Sequence, residues 1–192
     1  MVPAAVESAP ITFKGTFSGL AEVPPNASPG SGTAVVTFDP VAHTLDVFAS
    51  FEDLVAPATV AHIHCCAPPG VGAGVATTVP TFPGFPAGVM SGVYSMSFPT
   101  LDLATYRPGF VTASGGTVED AEAALLAGLL AGEAYFNIHT SAFPGGEIRA
   151  NLSAVPEPAT LTLVGAGLGA AALRRRRGRR SEQAKPKKAD AR

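Results

Sequence analysis

Apolar and polar residues alternate with a period of two along most of the first 152 positions, the pattern of strands that bury one face and wet the other. Ile11, Phe13 and Phe17 alternate with Thr12, Lys14, Thr16 and Ser18. Ala34, Val36 and Phe38 alternate with Thr33 and Thr37, and Leu45, Val47, Ala49 and Phe51 with Thr44, Asp46, Ser50 and Glu52. Met90, Tyr94, Met96 and Phe98 form a fourth apolar row against Ser91, Ser95 and Ser97. Ala134, Phe136 and Ile138 form a fifth, opposite Tyr135, Asn137 and His139, and Ile148, Ala150 and Leu152 close the series. Asp39-Pro40 to His43 and Phe143-Pro144-Gly145-Gly146 read as hairpin connections, and Pro24 to Gly32 as a loop. The Gly/Pro segment from Pro68 to Gly88 is longer than compact domains carry without purpose. One helix interrupts the strands. Thr117 reads as its N-cap, Glu119 and Asp120 as first-turn acids, Ala121 to Leu130 as its body and Gly132 as its stop. Short, spaced strands with long end loops predict an all-β domain, an antiparallel Greek-key β-sandwich with one short helix.

Composition narrows the class. Gly (21) and Pro (18) are abundant among the 192 residues, 46 % are hydrophobic and only 15 % are charged. Disordered polyelectrolytes are charge-rich and apolar-poor, so this is not one of them. A coiled coil is excluded by the helix breakers, and collagen by the missing Gly-X-Y period. The net charge of −2 hides two opposite blocks. Residues 1–173 hold three basic side chains (Lys14, Arg107, Arg149) against thirteen acids, whereas residues 174–192 hold ten basic side chains against two acids. An acidic body makes nucleic acid an improbable partner.

Ahead of the basic block, Ala159 to Leu173 carries no charge. As a helix these residues would span about 22 Å at ~1.5 Å per residue, short of the ~30 Å hydrocarbon core. Snorkelling arginines and local thinning make a marginal span feasible, and a basic cluster directly after an apolar run is the stop-transfer pattern. The expectation is a C-terminal transmembrane-type helix contacting the bacterial membrane through residues 159–173. Pro156, Glu157 and Pro158, then this run, then Arg174, Arg175, Arg176 and Arg177 resemble the PEP-CTERM sorting signal. That resemblance implies passage through the secretion machinery, recognition by an exosortase and a mature chain ending near Pro158. It departs from the family pattern in continuing to Arg192 past Lys185, Lys187 and Lys188. Met1 to Pro10 has neither a basic n-region nor an apolar h-region, so a leader is expected upstream of Met1.

The candidate chemistry lies in the body. In Ala61-His62-Ile63-His64 both imidazoles share one strand face, about 7 Å apart. That spacing lets them converge on one metal, with His139 as a third ligand and Glu147 as a ligand or supporting partner. Imidazole suits zinc, copper or nickel. The competing reading is a satisfied polar cluster in which Glu147 pairs with Arg149. Cys65 and Cys66 follow the histidines directly and form either a vicinal disulfide or a soft ligand set beside them. His43, alone in a turn, is expected at the surface. No Gly-x-Ser-x-Gly elbow or phosphate-cradling loop occurs, and no carboxylate spacing singles out an acid–base pair.

Leu20 to Pro25, Ala61 to His64, Ala131 to Thr140 and Gly145 to Arg149 together resemble the CHRD (chordin-type) domain, with Ala150 where that family usually has glycine. The resemblance implies extracellular binding or scaffolding and carries no enzymatic activity. The His-x-His strand is also similar, at the level of fold alone, to Cu/Zn superoxide dismutase. The expected organisation is a CHRD domain at 11–153, a sorting and anchor segment at 154–180 and a disordered basic tail at 181–192. The expected protein is exported, membrane-anchored before processing, then at the cell surface or in the extracellular matrix. It is non-enzymatic, with exopolysaccharide or surface proteins as further partners. The alternative is a copper- or zinc-dependent redox protein.

Overall fold

A computed structural model describes residues 9–156. Their strands are β1 (Ile11–Ser18), β2 (Ser31–Asp39), β3 (Thr44–Glu52), β4 (Ala58–Cys65), β5 (Gly92–Pro99), β6 (Ala134–Thr140), β7 (Ile148–Asn151) and β8 (Ser153–Ala154). Two helices, α1 (Pro108–Ser114) and α2 (Val118–Ala131), lie between β5 and β6. Among the described residues, β4-β6-β7-β1-β2-β3-β5 is the order of one antiparallel sheet, with β8 also on β1.

This corrects the expected Greek-key sandwich with one short helix. The strands are antiparallel as expected, but they form a single curled sheet and there are two helices. The reason is at β1, which pairs with β2 along its whole length while β7 and β8 take its other side. Gly15 permits that approach, because a Cβ there would lie 2.5 Å from the Asn151 carbonyl oxygen and 3.0 Å from Ala150 Cβ. The ladder therefore continues where a sandwich would have two free edges.

The curl wraps a core built from the predicted faces. Phe13, Phe17, Ala34, Val36, Phe38, Leu45, Val47, Ala49, Phe136, Ile138, Ile148 and Ala150 are all buried. Phe82, from the long Gly/Pro segment, packs within 5.3–5.8 Å of Phe98, Phe136 and Tyr94, joining β5 to β6 across the interior. The inward face read for β5 is corrected in part. Tyr94 and Phe98 point in, but Met96 is 40 % exposed because β5 is an edge strand whose one neighbour is β3, and Met90, 47 % exposed, lies before the strand begins.

The Gly/Pro segment has a structural task. It runs along the free side of β4, with Ala76 N–H donating to Ile63 O (3.0 Å), Phe82 N–H to Ala61 O (3.1 Å) and Gly88 N–H to Ala58 O (2.8 Å). The β2–β3 turn is fixed by Asp39 Oδ1, which accepts from Val41 and Ala42 N–H. His43 lies in that turn, half-exposed as expected, but it is not free: Nδ1 is 2.9 Å from Glu122 Oε1 on α2.

Helix α2 begins and ends where the sequence places it. The Thr117 hydroxyl accepts from Asp120 N–H, and Gly132 sits in the left-handed region at φ 70°. Ala121, Leu125 and Leu129 are buried where the helix packs on β4, β6 and β8. Gly128 faces the sulfurs of Cys65 and Cys66, and a Cβ there would overlap Cys65 Sγ. Helix propensity alone would favour Gly128→Ala by roughly 1 kcal/mol. We expect the reverse, a loss of about 1–3 kcal/mol from overpacking, read as a lower midpoint in urea unfolding; a raised midpoint would show that the helix shifts freely away from the sulfurs.

Among the described residues, no helix is long and apolar enough to cross a membrane. Pro156 is exposed. Glu157, Pro158, the apolar run 159–173 and Arg174–Arg177 lie outside the described residues, as does the expected tail at 181–192.

Candidate metal centre

Alternation along β4 sends Ala61, Ile63 and Cys65 into the core and His62 and His64 to the outer face. In the β4–β6 register, His62 lies opposite Asn137, His64 opposite Tyr135 and Val60 opposite His139. On β7, Arg149 lies opposite Asn137. One patch of the outer face thus gathers three histidines, a tyrosine, an asparagine and an arginine. The loops covering it are the Gly/Pro segment and the turn that begins at Glu22.

The structure brings the three predicted histidines together. One ring nitrogen from each of His62, His64 and His139 lies within 4.8 Å of the other two, and the ring centroids are 5.6–6.1 Å apart. The other nitrogen of each ring is committed to a backbone carbonyl. His62 Nε2 donates to Pro80 O (2.6 Å), His64 Nδ1 to Ala73 O (2.9 Å) and His139 Nδ1 to Pro144 O (2.9 Å). A carbonyl can only accept, so each of these nitrogens carries the hydrogen, and the remaining His62 Nδ1, His64 Nε2 and His139 Nε2 carry lone pairs. Those three nitrogens are buried and have no hydrogen-bond partner. A ligating histidine is commonly held in this way, its tautomer and aim set by the bond its second nitrogen makes.

Electrostatics agree with three neutral rings. Burial pushes the His64 imidazole down to about 4, against the hydrogen bond to Ala73. Burial likewise lowers His62 and His139 from their usual values, opposed by their bonds to Pro80 and Pro144. Tyr135 stacks on His64 at 4.8 Å with planes 10° apart, and the Arg149 guanidinium carbon lies over the Tyr135 ring, 3.7 Å from its centroid. The Tyr135 hydroxyl donates to Ala73 O, the same carbonyl that holds His64.

Of the residues proposed to support the histidines, Arg149 lies in their patch, whereas Glu147, Cys65 and Cys66 are placed otherwise. Glu147 is neither a ligand nor the partner of Arg149. It precedes β7 and turns inward, where its carboxylate accepts from Ser28 Oγ, Val55 N–H and Thr140 Oγ1, each at 2.6 Å. Arg149 pairs instead with Glu22, Nε to Oε2 at 3.3 Å, both side chains buried. Burial raises the Glu22 carboxyl above its usual value in spite of that guanidinium. Cys65 and Cys66 form a vicinal disulfide. It packs on Gly128 of α2, because Cys65 alternates with His64 and so faces the core. Sequence reasoning missed Glu22 as a member of this neighbourhood. Its one signal is an acid set in an apolar, proline-rich stretch, Leu20 to Pro25.

The fold is thus a curled antiparallel β-domain that carries a histidine cluster on its outer face. A family model of the CHRD domain matches residues 13–152, most of the chain, and the protein belongs to the CHRD-domain family. The PEP-CTERM protein-sorting motif matches residues 154–177. Both resemblances read from the sequence therefore hold. The motif marks an exported protein with a C-terminal sorting signal recognised and processed by exosortase. No curated protein and no solved structure matches the chain.

Proposed function

We propose that the folded body is a metal-binding module without catalytic activity, carried by an exported protein and serving a binding or scaffolding role at the cell surface or in the extracellular matrix. The metal is zinc or copper, held by His62, His64 and His139. Before processing, residues 159–173 anchor the chain in the bacterial membrane; afterwards its partners are exopolysaccharide or other surface proteins. One observation carries the metal: three imidazoles, each with one nitrogen tied to a carbonyl and the other buried without a partner, each bring a ring nitrogen within 4.8 Å of the other two. Lone pairs repel, so three converging acceptors ask for an electrophile. Nitrogens bound at about 2.0–2.1 Å around a tetrahedral ion lie roughly 3.3 Å apart, so loading draws the rings together by about an ångström.

The sealed setting supports binding over redox turnover. The three nitrogens are buried, so an ion among them would exchange its remaining ligand with solvent only slowly. A bound ion would join β4 to β6 and, through the carbonyls of Ala73, Pro80 and Pro144, tie three loop positions to the sheet. Such an ion stabilises the fold by mass action, about 2.7 kcal/mol at a hundredfold excess over Kd.

The test is elemental analysis of the purified protein after dialysis against zinc or copper. We expect one ion per chain, a higher melting temperature on loading, and loss of both in His62→Ala, His64→Ala and His139→Ala. Substoichiometric metal in the unaltered protein would overturn the centre. Copper-loaded protein, assayed with EDTA to silence free copper, should dismutate superoxide no faster than the copper–EDTA blank; a faster rate would restore the redox alternative.

A further inference from the structure

Five buried side-chain atoms among the described residues have no hydrogen-bond partner: His62 Nδ1, His64 Nε2, His139 Nε2, Asn137 Oδ1 and Glu22 Oε1. They are not scattered. Three are the nitrogens of the metal centre, and the other two belong to the adjoining row. Asn137 is the cross-strand neighbour of His62 on one side and of Arg149 on the other, and it shares the outer face of β6 with His139. Its Nδ2 donates to Glu22 Oε2 at 3.4 Å, the same oxygen that takes Arg149 Nε at 3.3 Å. That bond orients the amide, because turning it over would set two acceptor oxygens face to face. Asn137 Oδ1 and Glu22 Oε1 are therefore acceptors with nothing to accept.

Both oxygens face the bare α-carbon of Gly146. A Cβ built there would lie 2.5 Å from Asn137 Oδ1 and 2.7 Å from Glu22 Oε1. The two acceptors thus lie close together against the backbone of Gly146, where any side chain would collide with them. Gly146 also has φ 127°, a conformation that side-chain-bearing residues rarely adopt.

The two kinds of orphan need opposite partners. The nitrogens need a Lewis acid, and the oxygens need hydrogens. A bare ion serves the first three and leaves two acceptors buried without donors, while a water alone has only two hydrogens to give. An ion that carries one water serves all five, and a cation makes the O–H groups of its water stronger donors.

We propose that Glu22 and Asn137 hold the fourth ligand of the three-histidine centre, a water molecule that donates one hydrogen to each. This rests on the metal reading above. Glu22 and Asn137 are positioning residues acting through that water, and Arg149 fixes Glu22 from behind. The chemistry also sets which ligands the fourth position takes. An oxygen ligand that carries hydrogens is retained, whereas an anion without hydrogens, such as azide, meets two lone-pair acceptors and is turned away.

The experiment compares Asn137→Leu, which removes the acceptor, with the unaltered protein. Zinc affinity is measured on the full chain by competition with a chromophoric chelator. The cobalt-substituted protein supplies a visible spectrum, recorded with and without azide. Loss of a partner behind a metal ligand typically costs about 10–100-fold in affinity, and that is expected of Asn137→Leu. Its cobalt spectrum should also shift and respond to azide, where that of the unaltered protein does not. Should Asn137→Leu fail to fold, Glu22→Gln places a donor where the water's hydrogen points and carries the same expectation. Unaltered affinity and spectrum in a folded acceptor-less variant would overturn this inference while leaving the metal centre in place. An unaltered protein that binds no zinc would overturn the centre itself, and this inference with it.

Discussion

Replacing Glu147 by alanine should lower the melting temperature by about 6–20 °C. The side chain is fully buried, and among the described residues no basic group pairs with it. It is held instead by Ser28 Oγ and Val55 N–H on Oε1 and by Thr140 Oγ1 on Oε2. These donors come from three separate stretches of chain, so one carboxylate ties the loop before β2, the segment after β3 and the end of β6. Truncation strands all three, and a buried donor left unsatisfied costs about 1–3 kcal/mol. Hydroxyls can rotate to other partners, whereas the Val55 N–H is fixed, which brings the total to about 3–5 kcal/mol. At roughly 2–4 °C per kcal/mol for a domain near this size, the shift follows. Glu147→Gln should cost only about 1 kcal/mol, because an amide oxygen can serve Ser28 and Val55 while its NH2 donates to a turned Thr140 hydroxyl. The exposed control Glu52→Ala should stay within about 0.5 kcal/mol. A melt of Glu147→Ala no lower than that control would show that the three donors find other partners. Metal content in the folded Glu147→Ala protein should be unchanged, since the carboxylate lies away from the histidines.

Much of this arrangement was legible before the fold was known, and what was not has identifiable causes. Strands β1, β2 and β3 follow from alternation because each buries one full row, Phe13 and Phe17, then Ala34 to Phe38, then Leu45 to Phe51. Helix α2 follows from Thr117 and Gly132 because capping is local chemistry. Helix α1 does not: Pro108-Gly-Phe-Val-Thr-Ala-Ser114 holds Gly, Val and Thr, all poor helix formers, and only Pro108 at its start and the buried Val111 favour it. The inward reading of Met96 failed because an edge strand has less to cover it than a central one. Continuity of the sheet was not legible either. Alternation says which side chains face inward and nothing about which backbone pairs with which.

The same distinction separates the parts of the site. His62 and His64 were found by spacing, and His139 by its place on the polar face of the neighbouring strand. Glu147 was misread because period two was extended one residue beyond the start of β7, into a turn where it no longer holds. With Glu147 turned inward, Arg149 needed another carboxylate, and it came from Glu22, 127 residues away in sequence. No local pattern announces a partner at that distance. The carbonyls of Ala73, Pro80 and Pro144, which fix the ring tautomers, were equally hidden, since every residue has a carbonyl and only the path of the chain decides which ones are used.

Acidification should weaken the metal-free protein steeply between pH 6.5 and pH 4. Burial holds the His64 imidazole at about 4 in the folded state, against an ordinary value of 6.5. Between those limits the unfolded chain binds the proton and the folded one does not, so stability is complete above pH 6.5 and is lost as pH falls toward the folded value. At 1.36 kcal/mol per unit, His64 alone accounts for a loss of about 3 kcal/mol. His62 and His139 are lowered by burial as well and add in the same direction. Glu22 acts the other way. Burial raises its carboxyl, so the folded state takes up that proton first on acidification and regains some stability. Three imidazoles against one carboxyl leave a net fall. Thermal melts in chelator should therefore drop across this window, and His64→Gln, which titrates at no pH, should flatten the curve. Bound zinc should move the fall to lower pH, because protons must first displace the ion from the same nitrogens. A melting temperature that stays level from pH 6.5 to pH 4.5 in chelator, or a His64→Gln curve as steep as the parent's, would show that the imidazoles reach solvent and that the pocket closing over their lone pairs is not there.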